Sequence, residues 1–320
     1  MLKWRYFSLR AGAWLCASLG RMLVLALMAG CAGGGGGGGA MTSPPPPNPY
    51  PPINSVTPST VLNTVSSNVT FNNPTTQFSS TAGTVGISAS GNGSAITSLN
   101  LNVAGAGSPP VNFQQTFSSF TSQTDAGGNV VLYFATLTAP DGSVRQVLFA
   151  NPGYVLFGLT YTTLGLWEYD ASAIAPSGVG GAFVTGVATR TNDLPKTGMA
   201  NYSGGMIGRY VDGTTSWAVT ANASSTANFA TGTVSFMTIN SSRTPVNGGA
   251  VVADSNLNLN GMLTFPAGTN QVSGALTATG GMTGPASAKF FGPGAQEFAG
   301  TFFVTNGGTQ QMNGAFGVHR

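Results

Sequence analysis

The chain of 320 residues contains 47 glycines and 19 prolines, and only 6% of its residues are charged. This composition is far from that of an average cytosolic protein, but a hydrophobic fraction of 42% is enough to build a core. Four of the eleven basic residues precede Cys31, so the rest of the chain carries seven basic and eight acidic residues, a formal net charge of −1. That balance provides no basic surface for nucleic acid, and we expect no nucleic-acid partner.

The first 30 residues have the order of a bacterial signal peptide. Scattered basic residues precede the apolar run 22–28, and the small residues Ala29 and Gly30 follow it. The run is much shorter than the ~20 residues that a membrane-spanning helix needs. Residues 27–31, Leu-Met-Ala-Gly-Cys, resemble the lipobox of bacterial lipoproteins, with Met28 where the pattern prefers leucine. The resemblance implies cleavage before Cys31 and lipid attachment to it; the alternative is an ordinary signal peptide with a chance cysteine.

A lipid on Cys31 would anchor the protein, because acyl chains contribute about 0.8 kcal/mol per buried methylene. Ala32 follows the cysteine where aspartate commonly signals inner-membrane retention, so the resemblance implies the outer membrane. Cys16 follows Trp14 and Leu15, which are too bulky for cleavage. Because both cysteines lie in the first tenth of the chain, no disulfide can form in the rest of it. We expect no cofactor apart from this covalent lipid.

A linker separates Cys31 from the folded part. Residues 33–39 are an unbroken glycine run, and residues 43–52 are rich in proline, so a flexible coil leads into a stiffer spacer. The glycine run satisfies a nucleotide-binding pattern, but it lacks a preceding strand and a following helix. We therefore predict a signal peptide (1–30), a lipidated cysteine and linker (31–54), a β-rich handle-like domain (55–190) and a β-barrel domain (191–320).

The handle-like domain is predicted from alternating apolar residues and turn signals. Segments 85–89 and 99–103 alternate on either side of Gly91-Asn92-Gly93, and segments 130–138 and 144–149 flank Pro140-Asp141-Gly142. Both patterns predict hairpins, since glycine takes positive φ and proline presets φ in turns. Residues 154–169 are long enough for a helix but dense in aromatic, β-branched and glycine residues, so we predict a strand.

The last third of the chain is the most regular. Segments 257–265, 272–278 and 298–304 place an apolar residue or glycine at every second position, and residues 202–318 contain about eight such strands. Eight strands close into a barrel just filled by side chains, and closure removes exposed edges. Gly261, Gly274 and Gly300 belong to the inward set, where glycine suits tight curvature or close backbone approach. The predicted fold class is all-β, a β-rich handle followed by a soluble eight-stranded antiparallel barrel.

Four motifs carry a family resemblance. They are residues 196–205 (KTGMANYSGG), 228–232 (NFATG), 290–302 (FFGPGAQEFAGTF) and 314–317 (GAFG). Their order and spacing resemble the barrel domain of transferrin-binding protein B-like lipoproteins, to which factor H-binding protein is related. The departures are Asn228 for the usual aspartate and Phe298-Ala299 for valine-glycine. The resemblance covers residues 190–320 well and 55–190 only weakly.

The resemblance implies a β-rich handle paired with an eight-stranded barrel. It further implies display on the outer membrane of a Gram-negative bacterium, in some members through a dedicated lipoprotein exporter, and binding of host or environmental proteins. It does not imply transferrin as the ligand. Because ligand contacts in the family lie on variable loops, no ligand-binding residue can be assigned here.

The sequence favours a non-catalytic protein without a metal site. After Cys31 the chain has one histidine, His319, and scattered acidic residues, two of them in Asp-Gly turns (Asp141 and Asp212). Glu168 and Asp170 share one strand face, which could indicate acid–base chemistry, but we favour a solvated face. We predict that Glu297, within the family motif, makes a structural contact at the barrel end. A further group is predicted to pack in the core rather than line a binding surface: Tyr154, Phe157, Tyr161, Trp167 and Tyr169.

The leading hypothesis is a surface-exposed outer-membrane lipoprotein that captures a protein of unknown identity. One alternative is a carrier whose barrel holds a small molecule, but large inward residues favour a filled interior: Leu257, Leu263, Leu276 and Phe302. Another is a structural envelope lipoprotein. An integral membrane barrel is disfavoured because the outward residues are polar: Asn258, Asn260, Thr264, Ser273 and Thr277.

Overall fold

A computed structural model describes residues 49–72, 78–108, 110–170, 177–213, 215–246 and 248–320. Within these ranges no helix is long and apolar enough to cross a membrane. Cys31 and the glycine run lie outside the described residues, so lipid attachment, the linker and the domain boundaries stay predictions. The described residues are almost entirely strands and turns, which confirms the predicted all-β class.

Among the described residues, ten strands precede residue 190, and we call them the handle. They are β1 (Asn63–Asn72), β2 (Phe78–Thr81), β3 (Thr84–Gly91), β4 (Ile96–Ala106), β5 (Val111–Phe117), β6 (Thr121–Thr124), β7 (Val130–Thr138), β8 (Val144–Ala150), β9 (Thr162–Asp170) and β10 (Ser177–Gly186). Seven form an antiparallel sheet in the order β2-β1-β10-β9-β8-β7-β6, and β3-β4-β5 form a second sheet. The two sheets enclose one apolar core that includes Leu99, Phe149 and Phe183.

The handle contains both predicted hairpins. Strands β3 and β4 pair with Val85 opposite Val103, and β7 pairs with β8 with Ala135 opposite Val147. The predicted strand over residues 154–169 is wrong in its first half. Backbone N–H groups of Phe157 and Gly158 donate to the Tyr154 carbonyl, and Gly158 has a φ of 59°. These turns bury Tyr154 and Phe157 under the sheet, and extended backbone begins only at Thr162.

In the described part of residues 199–320, nine strands follow, and eight of them build a closed barrel. They are β11 (Met199–Asp212), β12 (Thr215–Asn228), β13 (Thr233–Pro245), β14 (Val252–Ala253), β15 (Leu259–Thr264), β16 (Val272–Ala278), β17 (Thr283–Phe291), β18 (Glu297–Thr305) and β19 (Gln310–His319). Eight run around the barrel in the antiparallel order β11-β12-β13-β15-β16-β17-β18-β19, and β19 pairs with β11. The short β14 pairs with the end of β13. This closure confirms the predicted eight-stranded barrel.

The barrel interior is packed with large apolar side chains. Leu257, Leu263, Leu276 and Phe302 are all buried in it, as expected of a filled interior. The rings of Phe236 and Phe316 lie 4.3 Å apart between centroids, and a chain of further phenylalanine contacts runs through Phe290 and Phe298. Outward residues of β15 and β16 are exposed and polar, including Asn260, Thr264, Ser273 and Thr277; Asn258 is half-buried.

Close backbone approach explains the glycines of the inward set. A Cβ at Gly300 would lie 2.5 Å from the Ala288 Cβ, and one at Gly274 would lie 2.7 Å from the Met262 carbonyl oxygen. A Cβ at Gly261 would lie 2.7 Å from a Leu276 methyl group. Any side chain at these positions would displace a neighbouring strand, as the sequence predicts.

The handle docks on the outer face of β11, β18 and β19. Leu164, Ala182 and Val184 of the seven-stranded sheet form one buried apolar cluster with Ile207 and Ala315 of the barrel. The seven-stranded sheet is therefore covered on both faces, by β3–β5 on one side and by the barrel on the other. This arrangement places the handle–barrel junction at the centre of the molecule.

Candidate functional site

The junction between handle and barrel collects most of the residues that the sequence singles out. Glu297 begins β18 and is 2% exposed. Its carboxylate accepts hydrogen bonds from the backbone N–H groups of Thr160 and Tyr161 and from the Thr162 hydroxyl; the Tyr161 N–H lies 3.0 Å from Oε1. Burial raises the pKa of Glu297, and these hydrogen bonds oppose the rise. Glu297 therefore makes a structural contact at the barrel end, as predicted.

Residues that follow the linker enter the fold at the same end of the barrel. The Tyr50 hydroxyl accepts from the Arg190 N–H at 2.9 Å and donates to Asp193, just before β11. The Ile53 N–H donates to the Thr160 carbonyl at 2.7 Å. We call this the proximal end of the barrel. Because neighbouring strands are antiparallel, the connections after β11, β13, β16 and β18 lie at the opposite, distal end.

Two further polar contacts cross the junction. His319 Nδ1 lies 2.9 Å from the Phe157 carbonyl oxygen, next to the turn at Gly158. The Asn313 side-chain amide donates to the Ser67 hydroxyl at 2.7 Å, which ties β19 to β1. Together with Glu297, these contacts fix the handle on the barrel at points separated along β18 and β19.

The Glu168 carboxylate does not lie on a solvated face, so that interpretation of the sequence is wrong. The Arg209 guanidinium of the barrel donates to Glu168 Oε2 at 3.3 Å, and each side chain is only 13% exposed. Arg209 Nε also donates to the Ser216 hydroxyl at 2.7 Å. Burial raises the pKa of Glu168, and Arg209 opposes the rise. Asp170 is half-buried near the same end of β9, and burial raises its pKa. Glu168 is thus an interface residue.

An apolar cleft adjoins this ion pair, with a volume of about 70 Å³. Its roof is the barrel-facing side of β7, β8 and β9, including Phe134, Leu148 and Leu166. Its floor is the outer face of β11 and β12, including Ile207 and Ala218. Nothing in the sequence predicted this cleft, because its two walls come from segments about 40 to 80 residues apart.

The aromatic residues singled out in the sequence pack as predicted. Tyr154, Phe157 and Trp167 are buried, and Tyr161 and Tyr169 pack against the handle core from its edge. The Asp141 carboxylate accepts from the Ser143 N–H at 2.8 Å, which confirms its turn role. These packing and turn contacts stabilise the fold.

A cluster of one arginine, two aromatic residues and an aspartate closes the distal end of the barrel, and the sequence analysis did not predict it. The Arg243 guanidinium carbon lies 4.4 Å from the Trp217 ring centroid and 5.8 Å from that of Tyr210. Arg243 Nε pairs with the Asp254 carboxylate at 3.0 Å. The Asp254 carboxylate also accepts from the Asn256 N–H, so the cluster stabilises the loop that covers this end.

Exposed apolar residues line the side of the barrel opposite the handle. We call Met237, Ile239 and Met262 the outer stripe; they are 49%, 47% and 58% exposed. Met237 and Ile239 share one face of β13, and Met262 lies opposite Ser235, diagonal to Met237. Strands β13 and β15 are three or four positions around the barrel from β18 and β19, and β13 is two positions from β11.

Residues 194–320 match a family model described as the C-lobe and N-lobe beta barrels of Tf-binding protein B. The chain has a transferrin-binding protein B-like fold. The match begins at Leu194, just before β11, and reaches Arg320, so it covers the whole barrel. This agrees with the resemblance in the four sequence motifs. No curated protein matches the chain significantly in sequence.

Solved structures of the same kind are similar at low identity. A double mutant of transferrin-binding protein B from Haemophilus parasuis is 13% identical with a TM-score of 0.47, over 80% of this chain and 44% of that one. Transferrin-binding protein B from Neisseria meningitidis is 15% identical with a TM-score of 0.38, over 74% of this chain and 51% of that one. The N-lobe of lactoferrin-binding protein B from Moraxella bovis is 12% identical with a TM-score of 0.31, over 79% of this chain and 98% of that one. The chain thus spans about half the length of the two transferrin-binding proteins.

Proposed function

We propose that this protein is a non-catalytic lipoprotein of the outer membrane, held by a lipid on Cys31 and exposed at the cell surface, that captures a protein partner. The observation that carries the proposal is the outer stripe. Contiguous exposed apolar side chains on a protein surface can mark a protein-binding site. In this charge-poor chain, three large ones adjoin one another on the face away from the handle.

The packed barrel interior supports an external binding surface. A carrier needs a hollow interior, whereas the centre of this barrel is occupied by phenylalanine and leucine side chains. The entry of residues 50–53 at the proximal end supports an orientation in which the tether leads to the membrane there and the distal end faces away from it. The match of the barrel to the family model of Tf-binding protein B supports a role in which the chain binds another protein.

A matched pair of variants tests the role of the outer stripe. We expect Met237→Asp/Ile239→Asp to abolish binding, because two carboxylates replace apolar contacts that desolvate on binding. Ser273→Asp/Thr277→Asp adds the same charge at exposed positions on β16 and should leave binding unchanged. Substitutions at exposed sites usually change stability by less than about 0.5 kcal/mol, so both variants should fold. The assay is mass spectrometry of proteins retained from fluid of the organism's habitat by lipidated protein on cells.

A stoichiometric partner that is retained by the wild type and the control, but lost by the stripe variant, would support the proposal. A partner retained equally by all three would move the binding surface elsewhere. Absence of any partner would favour a structural envelope role. Two experiments test the location: Cys31→Ser should release the protein from membranes, and protease added to intact cells should cleave the wild type. Protection on intact cells would indicate a periplasmic orientation.

A further inference from the structure

The most exposed apolar side chains lie at the proximal end of the barrel. Among the described residues, the three largest exposed fractions of a large apolar side chain are 82%, 81% and 70%; they belong to Val155, Val61 and Met199, which we call the proximal tips. Met199 is the first residue of β11. Val155 lies in the turn whose Phe157 carbonyl oxygen is 2.9 Å from Nδ1 of His319, the last residue of β19. Both are therefore at the end where the chain enters the fold.

The third proximal tip lies at the same end. Val61 is two residues before β1, which begins opposite Gly186. The Gly292 N–H in the β17–β18 connection donates to the Val187 carbonyl at 2.9 Å, so this end of β1 and β10 adjoins the proximal end. Exposed apolar side chains that occur singly are ordinary on protein surfaces. Three at one end of the molecule, in three separate segments, indicate that this end contacts an apolar environment.

The exposed basic side chains share this end. In the described part of the chain three basic side chains are exposed: Arg190 and Lys196 in the β10–β11 connection, and Arg320 after β19. The Arg190 guanidinium carbon lies 5.7 Å from the Tyr50 ring centroid, and that of Arg320 lies 5.6 Å from the Tyr202 ring centroid. Over the same described residues, none of the three forms an ion pair with a carboxylate. We call them the proximal basic residues.

The exposed carboxylates are mostly elsewhere. Asp212 ends β11 at the distal end, and Asp141 lies in the β7–β8 turn, beside the far end of β9. At the proximal end Asp193 is exposed and accepts from the Tyr50 hydroxyl. Asp125, half-buried in the handle, accepts from the Tyr154 hydroxyl at 3.2 Å. Three exposed basic groups thus face one exposed carboxylate at the proximal end, beside the apolar tips. Basic and apolar side chains together are what binds the headgroup region of an anionic membrane.

We propose that the proximal end docks on the anionic lipid surface to which the chain is tethered. The proximal tips enter the boundary between headgroups and acyl chains, and the proximal basic residues contact lipid phosphates. This inference rests on the proposed lipid at Cys31. Only residues 32–48 separate Cys31 from Pro49, the first described residue, a distance of at most about 60 Å. A short tether gives an effective concentration on the order of millimolar, so even a weak contact with the membrane is populated. Docking leaves the distal end directed away from the membrane.

Single cysteines test which end contacts the lipid, because the chain has no cysteine after Cys31, whose thiol would carry the lipid. Met199→Cys and Val155→Cys are each labelled with a polarity-sensitive fluorophore in lipidated protein on vesicles of phosphatidylethanolamine and phosphatidylglycerol. Thr309→Cys, exposed in the distal β18–β19 turn, is the control. We expect blue-shifted emission and quenching by a lipid-bound quencher at the first two positions and neither effect at the third.

The outcomes separate docking from anchoring. If the protein stays on the vesicles but all three labels emit as they do in water, the docking is refuted and the anchor stands. If washing removes the protein from the vesicles, both are refuted.

A matched pair of charge variants tests the basic residues, with the label at Val155→Cys. Lys196→Thr removes one positive charge at the proximal end, and Thr309→Asp adds one negative charge at the distal end. Each Lys or Arg near an anionic surface raises membrane affinity about fivefold. We therefore expect Lys196→Thr to lower the ratio of docked to undocked protein about fivefold and Thr309→Asp to leave it unchanged. On phosphatidylcholine vesicles, Lys196→Thr should equal the wild type. Exposed substitutions rarely disturb folding, which thermal melting checks. An equal ratio in both variants on anionic vesicles would overturn the role of the proximal charge.

Discussion

Glu297 provides the sharpest test of how the handle is held on the barrel. Its carboxylate accepts from two backbone N–H groups and one hydroxyl of residues 160–162. Glu297→Ala would leave these three donors buried beside a small cavity without an acceptor. An unsatisfied buried donor costs about 1–3 kcal/mol, and water entering the cavity can satisfy part of this demand. We therefore expect a loss of about 3–5 kcal/mol in the free energy of unfolding.

Glu297→Gln separates hydrogen bonding from charge. The amide oxygen can accept from the N–H groups of Thr160 and Tyr161, and the amide nitrogen can donate to the Thr162 hydroxyl, which is able to accept. The extra strength of hydrogen bonds to an ionised group is lost, but the cost of burying the charge is removed with it, so we expect a cost of at most about 1 kcal/mol. Urea unfolding at constant pH measures both variants. Equal destabilisation by alanine and glutamine would refute the argument that acceptor capacity is what matters.

The difference in stability between the wild type and Glu297→Gln should change with pH in a defined direction. Burial raises the pKa of Glu297 above its ordinary value of 4.5. In the window above 4.5 the folded state binds more protons than the unfolded state, so the contribution of Glu297 to stability falls as pH rises. Glutamine does not titrate. The advantage of the wild type over Glu297→Gln should therefore shrink as the pH rises above about 4.5; an advantage that grows would contradict the raised pKa.

The remaining predictions also concern unfolding free energies measured in urea. Arg209→Met should cost about 3–5 kcal/mol because it leaves Glu168 buried without its partner, whereas Arg209→Met with Glu168→Leu should be nearly neutral or stabilising. A Cβ at Gly300 would overlap strand β17, so Gly300→Ala should cost about 1–3 kcal/mol. Gly86→Ala should cost less than about 1 kcal/mol, since the nearest atom would be 4.0 Å away. Phe302→Ala should cost about 3–5 kcal/mol by opening a cavity in the packed interior.

The barrel could be predicted because most of its strands have one buried and one exposed face. Strand β16 alternates with Val272, Leu276 and Ala278 inside and Ser273 and Thr277 outside. Apolar and polar residues therefore alternate along such a strand, and this alternation can be seen in the sequence. The family motifs add turn glycines at fixed spacing, so both the strand number and the closure followed from the sequence.

The handle could be predicted only in part, because its seven-stranded sheet is covered on both faces. Residues 178–187 are buried almost without interruption, and the start of β9 is buried in the same way. A strand covered on both sides shows no alternation, and an apolar run alone does not distinguish a strand from a buried turn. That is why residues 154–161 were predicted as strand, although Gly158 ends a tight turn there.

The junction could not be predicted because its contacts join distant segments. Arg209 is 41 residues from Glu168, and Glu297 is more than 130 from the residues that donate to it. Local sequence shows only an acidic residue beside an aromatic one, a pattern equally typical of a solvated strand. The partner of such a residue is decided by how the handle docks, which is a property of the whole fold.

Because the chain has few charged residues, the buried glutamates at the junction make the docking of the handle on the barrel more specific. The apolar part of the junction combines alanines such as Ala182 and Ala315 with larger side chains, and apolar contacts are not directional. A buried carboxylate is tolerated only where its donors are in place, since an unpaired one costs several kcal/mol. Glu168 and Glu297 impose that requirement at two separate places on one interface. The two glutamates therefore favour the docking register in which both sets of hydrogen bonds form.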